Sequence, residues 1–143
     1  MMIYKHKVQY YETDAMKIVH HSNYVRWMEE TRVAFLEEIG VPLEMLEEMG
    51  IVCPVLSVNC EYQHMTVFGD TVTIDASLDE FSGVKMFVSY RMTLPDGRIC
   101  CEAKSKHCFL KDGKILNLRK KYPELYEKFL PAIGSGAASD QLD

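Results

Sequence analysis

Asp14 lies in a polar stretch, Glu12 to Ser22, between a segment that alternates with period two and one whose apolar residues recur every three or four positions. A carboxylate where a strand hands over to a helix can attack a carbonyl carbon as a nucleophile or take a proton from an attacking water as a general base. Both routes build negative charge on the carbonyl oxygen. Backbone N–H groups at the helix start, near Ser22, Asn23 and Tyr24, are suited to hold that charge because the helix dipole is positive there. His21, seven residues after Asp14, can orient a carbonyl, hold the loop or move a proton near neutral pH, and positioning is the preferred reading. Each residue also has a plainer use: Asp14 as turn former or cap, Tyr10 as an inward-facing strand residue, Asn23 as N-cap, Tyr24 and Trp27 as helix core. Glu29 is a second carboxylate of interest, read as part of a solvated helix face. His20 and His21 beside an Asp resemble metal ligands in type, but the spacing matches no H-E-x-x-H pattern and no metal is expected.

The elements that must position these residues follow from periodicity. Ile3 to Tyr11 alternates, with Tyr4, His6, Val8 and Tyr10 on one side, and predicts a half-buried first strand. Tyr24, Trp27, Met28, Thr31, Ala34, Phe35 and Leu36 then trace one face of an amphipathic helix, with Ser22 or Asn23 to cap its start and Gly40 to end it. A short helix, Leu43 to Met49, follows Pro42. Period two returns in Leu56–Tyr62 and, after Gly69-Asp70, in Val72–Asp79, then in Val84–Leu94 and Arg98–Lys111, with short turns that imply antiparallel neighbours. Pro123 opens a last helix with Leu125, Tyr126, Phe129 and Leu130 inward. One sheet with one main helix packed on its apolar face is an α+β domain, expected over residues 1–133, with a flexible tail over 134–143. Phe87, among polar neighbours, points to a partner subunit on the other face.

Composition narrows the function. The 143 residues carry 16 basic and 21 acidic side chains, a formal charge of −5, which gives no global support to a surface that neutralises nucleic-acid phosphates. No apolar run is long enough to span a membrane and no signal peptide is evident, so the expected location is the cytoplasm. Five cysteines, an odd number without a C-x-x-C pair, read as reduced packing residues.

Val8 to Gly40 reads V-Q-Y-Y-E-T-D-A-M-K-I-V-H-H-S-N-Y-V-R-W-M-E-E-T-R-V-A-F-L-E-E-I-G. This run resembles the acyl-CoA thioesterases of the hotdog superfamily, in particular the 4-hydroxybenzoyl-CoA thioesterase and YbgC-like branch, where an aspartate precedes a loop, an H-x-N-Y-like element and a buried helix. The likeness ties Tyr10, Asp14, His21, Asn23, Tyr24, Trp27, Glu29 and Arg32 to fixed offsets. It implies a hotdog fold, an antiparallel β-sheet wrapped around one long central helix, and hydrolysis of an acyl-CoA to free acid and CoA. Asp14 would act as nucleophile, through a mixed anhydride, or as general base. His21 would assist, as would Tyr10, which matches a tyrosine lining the site in the YbgC-like branch. Substrate contacts would fall to Ser22, Asn23 and Tyr24, and the acyl chain to a pocket lined by residues such as Tyr24, Phe35 or Tyr62. No metal or cofactor is implied, coenzyme A being part of the substrate.

Two positions depart from the pattern. Lys17 stands where relatives commonly carry glycine, at a loop position suited to positive φ, and can instead reach a phosphate; Met65 stands where relatives often carry proline. Further cations for the CoA phosphates are Lys85, Arg91, Lys104, Lys106 and Arg119-Lys120-Lys121. The resemblance also implies a homodimer or homotetramer, sheets joined edge to edge. Two other readings compete. A hotdog dehydratase or hydratase places its histidine differently relative to its acid. A non-catalytic acyl-CoA-binding module has no need of an intact Asp14 and His21.

Overall fold

A computed structural model describes residues 2–134. Strand β1 (Met2–Lys7) and a 3-10 turn (Tyr10–Glu12) lead to the long helix α1 (Ser22–Glu38) and the short α2 (Leu43–Glu48). Then come β2 (Ile51–Val52), β3 (Val55–Tyr62), β4 (Thr71–Phe81), β5 (Lys85–Thr93), β6 (Ile99–Cys108), β7 (Leu110–Lys111), β8 (Lys114–Ile115), α3 (Leu118–Lys121) and α4 (Pro123–Phe129). The main sheet is five-stranded, in the order β1-β4-β5-β6-β3, and every pairing in it is antiparallel. One row of side chains crosses it from edge to edge: Tyr4, Ile74, Met92, Cys101, Tyr62.

That row and its neighbours face α1. The helix buries Tyr24, Trp27, Met28, Thr31, Phe35 and Leu36, the three- and four-residue spacing that keeps them on one side. Thr31 can sit in this apolar layer because its hydroxyl donates to the Trp27 carbonyl at 2.7 Å. Beyond the far end of α1, Phe81 stacks on Phe129 and Tyr126, with ring centroids 4.3 and 5.4 Å apart. The opposite sheet face carries Asp75, Asp79, Ser89, Arg91, Glu102 and Lys104, with Phe87 half-buried among them.

Several expectations are corrected. The first strand ends at Lys7 rather than Tyr11, because the backbone beyond Val8 turns out of the sheet. The Leu56–Tyr62 strand forms as expected, as β3, but at the sheet edge, with Leu56, Val58 and Tyr62 47%, 39% and 49% exposed. Alternation reports which residues share a face, not whether that face is covered. The predicted strand 98–111 breaks at the fully buried Phe109, and its end pairs in a small three-stranded sheet, β2-β7-β8, whose two-residue strands are too short to show a period. Leu130 is exposed rather than inward, since the chain tightens into a 3-10 turn at Leu130–Ala132. Gly134, the expected first tail residue, donates its N–H to the Leu78 carbonyl; the rest of that tail, 135–143, lies outside the described residues.

Candidate active site

The loop bearing Asp14 is built on Glu12. Its carboxylate is buried and accepts three hydrogen bonds: from the Gln9 N–H at 2.8 Å, from His6 Nε2 at 2.8 Å and from Trp27 Nε1 at 2.7 Å. Burial alone would raise its pKa, but the bonds from Gln9, His6 and Trp27 outweigh burial and hold it below the usual carboxylate range. After Glu12 the chain makes a small hairpin. Thr13 bridges Val19, the Asp14 N–H donates to Ile18 O at 2.8 Å, and the Lys17 N–H returns to Asp14 O at 2.9 Å. Lys17 has φ 64°, so the loop takes the left-handed conformation expected at this position with a side chain on it. Asp14 Oδ1 accepts the Met16 N–H at 2.8 Å, which fixes the half-buried carboxylate by an Asx turn. Oδ2 has no protein partner among the described residues.

The hairpin returns directly into the helix. The His20 N–H donates to Glu12 O at 2.9 Å, and Asn23 Nδ2 donates to the same carbonyl at 2.8 Å. Asn23 is therefore a buried donor that ties helix to loop; neither it nor Ser22 caps α1, which has no side-chain cap. His20 takes that role in another way. Its ring Nδ1 accepts the Ser22 N–H at 3.2 Å and pairs with Ser22 Oγ at 2.8 Å, and its carbonyl accepts the Asn23 N–H at 3.0 Å. Among the described residues, the Tyr24 N–H makes no hydrogen bond outside the helix. It is the first amide of the helix start left open.

Around this amide sits an aromatic wall. The Tyr24 ring lies 4.8 Å from Trp27 and 5.1 Å from Tyr62, centroid to centroid, and its hydroxyl donates to Thr66 Oγ1 at 3.0 Å. Burial pushes the Tyr24 phenol up to about 12, so it remains a neutral donor. The Tyr62 hydroxyl donates to the His21 carbonyl at 3.3 Å, and the exposed His21 ring stacks on His20 at 4.2 Å. Asp14 and His21 share no hydrogen bond among the described residues.

Ser22, Asn23, Tyr24 and His21 thus meet the Asp14 loop at the start of α1. Tyr10 is on the 3-10 turn, 76% exposed and edge-on to Phe68 at 5.6 Å, so the inward strand position expected of it is not what it occupies. Phe35 does not join Tyr24 and Tyr62: eleven residues along α1 carry it roughly 16 Å away, against Met2, Ile39 and Ala132. Glu29 is exposed on the helix surface. Of the expected cations, Arg91 pairs with Glu102 at 3.8 Å and Arg119 lies 5.8 Å from the Tyr126 ring. Lys17, Lys85, Lys104, Lys120 and Lys121 are exposed, and Lys106 is half-buried. Sequence reasoning missed Glu12, Thr66 and the Glu30–His6 pair at 3.0 Å. The inward alternation of His6 was the one available signal that a polar partner had to lie beneath β1.

Among the described residues, no group of three or more His, Cys, Asp or Glu is arranged to hold a metal ion, and no helix is long and apolar enough to cross a membrane. Residues 8–132 match the thioesterase-like superfamily. A Bacillus subtilis protein named "Putative acyl-CoA thioesterase YneP" is 33% identical over 85% of this chain and 92% of its own length. A hypothetical protein of Aquifex aeolicus, known from its crystal structure, is 38% identical, covers 87% of this chain and 98% of its own, and superposes with a TM-score of 0.81. The DHNA-CoA thioesterase of Staphylococcus aureus shares the fold across 99% of this chain and 94% of its own, at 21% identity and a TM-score of 0.87. The antiparallel sheet curled around α1 is the hotdog fold, and the chain belongs to the thioesterase-like superfamily.

Proposed function

We propose that the protein is an acyl-CoA thioesterase in which Asp14 drives the loss of CoA and the Tyr24 N–H receives the oxyanion. The observation that carries this reading is one juxtaposition. A carboxylate with one oxygen fixed by the Met16 N–H stands on a hairpin bonded, through Glu12 O and His20, to a helix start whose Tyr24 amide is open. The names of relatives such as YneP, and of the Escherichia coli long-chain acyl-CoA thioesterase FadM at 28% identity over 98 residues, support the substrate class.

In the nucleophilic route Asp14 adds to the thioester carbonyl, the C–S bond breaks, CoA leaves as a thiolate that takes a proton from solvent, and water then hydrolyses the mixed anhydride. In the general-base route Asp14 takes the proton of a water that adds to the carbonyl directly. Charge on the carbonyl oxygen is common to both, which is why a preorganised amide there matters. His21, Ser22 and Asn23 shape the helix start. Tyr10 and Lys17, both exposed beside the loop, are assigned to the acyl-CoA itself, Lys17 to a phosphate. The edge strand β3 ends at this wall and leaves apolar Leu56 and Val58 in water, which supports pairing with a second copy of the chain.

Asp14→Asn keeps the Asx turn, because the amide oxygen can still accept the Met16 N–H, but removes the base and nucleophile. CoA release from a panel of acyl-CoAs, followed with a thiol reagent, should fall by about 10²–10⁴-fold. Undiminished release would overturn the proposal. Single turnover in ¹⁸O-water separates the routes, since only the anhydride route can leave label in Asp14.

A further inference from the structure

We infer that Glu12 is a positioning residue for the reaction: its buried side chain and its carbonyl clamp both ends of the Asp14 hairpin to α1, and so set where the reacting carboxylate stands. The inference rests on the catalytic reading of Asp14. Residue 12 grips the helix at two points, through Trp27 Nε1 to the carboxylate at 2.7 Å and through Asn23 Nδ2 to the carbonyl at 2.8 Å. It grips the return of the loop through the His20 N–H at 2.9 Å, and its own turn through the Gln9 N–H at 2.8 Å. The hairpin thus leaves Glu12 and comes back to it. Among the described residues, its one other backbone anchor to the body of the fold is the Val19 N–H on Thr66 O at 2.8 Å.

The clamp is itself held from β1. His6 lies between two carboxylates, with Nε2 2.8 Å from Glu12 and Nδ1 3.0 Å from Glu30 Oε1. Glu30 Oε1 also accepts the Tyr4 hydroxyl at 2.9 Å. The His6 ring lies 4.7 Å from Trp27, so the donors that converge on Glu12 also pack on each other. With Gln9 and His6 on one oxygen and Trp27 on the other, the carboxylate is specified in direction as well as place. Glu12 and Trp27 are buried. They act through the loop, where a displacement of about 1 Å can cost about a hundredfold in rate.

Glu12→Gln tests this, because the amide fits the same volume but sets an NH₂ against the donors on one of its two sides, Trp27 Nε1–H on one or the Gln9 N–H and His6 Nε2 on the other. In the folded variant, kcat should fall by about 10–100-fold while KM stays within about threefold, since substrate contacts are untouched. Adding Trp27→Phe removes the opposing donor and should restore part of the lost kcat. A stability role alone predicts a lower melting temperature with kcat per folded molecule unchanged, and that result, or no recovery in the double variant, overturns the inference. Should Glu12→Gln fail to fold, Trp27→Phe alone decides: a kcat reduced by about tenfold supports the clamp and an unchanged kcat refutes it. Asp14→Asn runs beside these variants. An inactive Asp14→Asn with a fully active Glu12→Gln sinks the clamp and spares the thioesterase reading; an active Asp14→Asn sinks that reading.

Discussion

Between pH 7.5 and 5, acid should weaken this fold chiefly through His107. Its ring is 1% exposed, beneath α1, with Nε2 2.8 Å from Ser105 Oγ. Ser105 pairs with the Tyr90 hydroxyl at 2.7 Å, which accepts from Arg32 Nη1 at 3.2 Å. Burial first, and then the Arg32 charge, push the imidazole down to about 4 against an opposing pull from the Pro54 backbone. The sign follows from proton counting. The folded state keeps His107 neutral down to about pH 4, whereas the unfolded chain takes up a proton near 6.5. Stability contributed by the neutral ring is therefore complete above 6.5 and is lost as pH falls from there toward 4. Between pH 7.5 and 5 the unfolded chain gains about 1.5 pH units of proton binding at about 1.4 kcal/mol each, a ceiling of about 2 kcal/mol, and about 1 kcal/mol after discounting for screening by water.

Urea unfolding at both pH values, at one protein concentration, measures the loss directly. His107→Gln cannot titrate. It should be less stable than the parent at pH 7.5, yet lose about 1–2 kcal/mol less on going to pH 5. His6, His20, His21 and His64 are common to both proteins and cancel in the difference. Equal losses in the two proteins would refute the assignment, because the buried ring would then not be the group that resists protonation.

Two further outcomes follow from local geometry. Lys17→Gly relieves a left-handed backbone at φ 64° that costs an L-residue about 1 kcal/mol, partly offset by the freedom glycine adds to the unfolded chain; a small rise in melting temperature is expected, and a fall would contradict the strain. Cys60, whose thiol pKa is lowered by Cys101 against burial and with help from Tyr62, should be alkylated by iodoacetamide before Cys53, which burial pushes up to about 12. Peptide mapping by mass spectrometry reads the order, and earlier labelling of Cys53 would overturn it.

The long helix and strands β1, β4, β5 and β6 were legible because each has one face in the core, and burial writes a period into the sequence. Legibility fails where burial and period separate. Tyr10 continues the alternation of β1 by type, yet the chain has already turned through Gln9 to bring its N–H onto Glu12. Leu56, Val58 and Tyr62 alternate as a strand should, but their cover is not supplied within the described chain. Near the start of α1, the resemblance singled out Asp14, His21, Asn23 and Tyr24 by their fixed spacing, and Lys17, expected at a loop position suited to positive φ, has φ 64°. Glu12 was not visible. An acid beside Thr13 and Asp14 reads as solvent-facing, and its burial depends on donors at residues 6, 9 and 27 that meet only once α1 has crossed β1.

Among the polar attachments of helix α1 are Trp27 to Glu12 and Arg32 to Tyr90, five residues and roughly 7.5 Å apart along the axis. Contacts among Met28, Phe35, Leu36 and the sheet favour burial of that helix face but tolerate small slides and rotations, since apolar packing is weakly directional. Hydrogen bonds at 2.7 and 3.2 Å are not tolerant in this way, and each ties the helix to a different part of the fold: the first to the Asp14 loop, the second to β5. Rotating α1 enough to move the Tyr24 amide relative to Asp14 would break the Trp27 bond or strain the Arg32 bond, and would leave the Glu12 charge short of a donor where it is buried. The cost of burying polar groups beneath the helix is thus what makes the distance between carboxylate and open amide a property of the fold rather than of a loop.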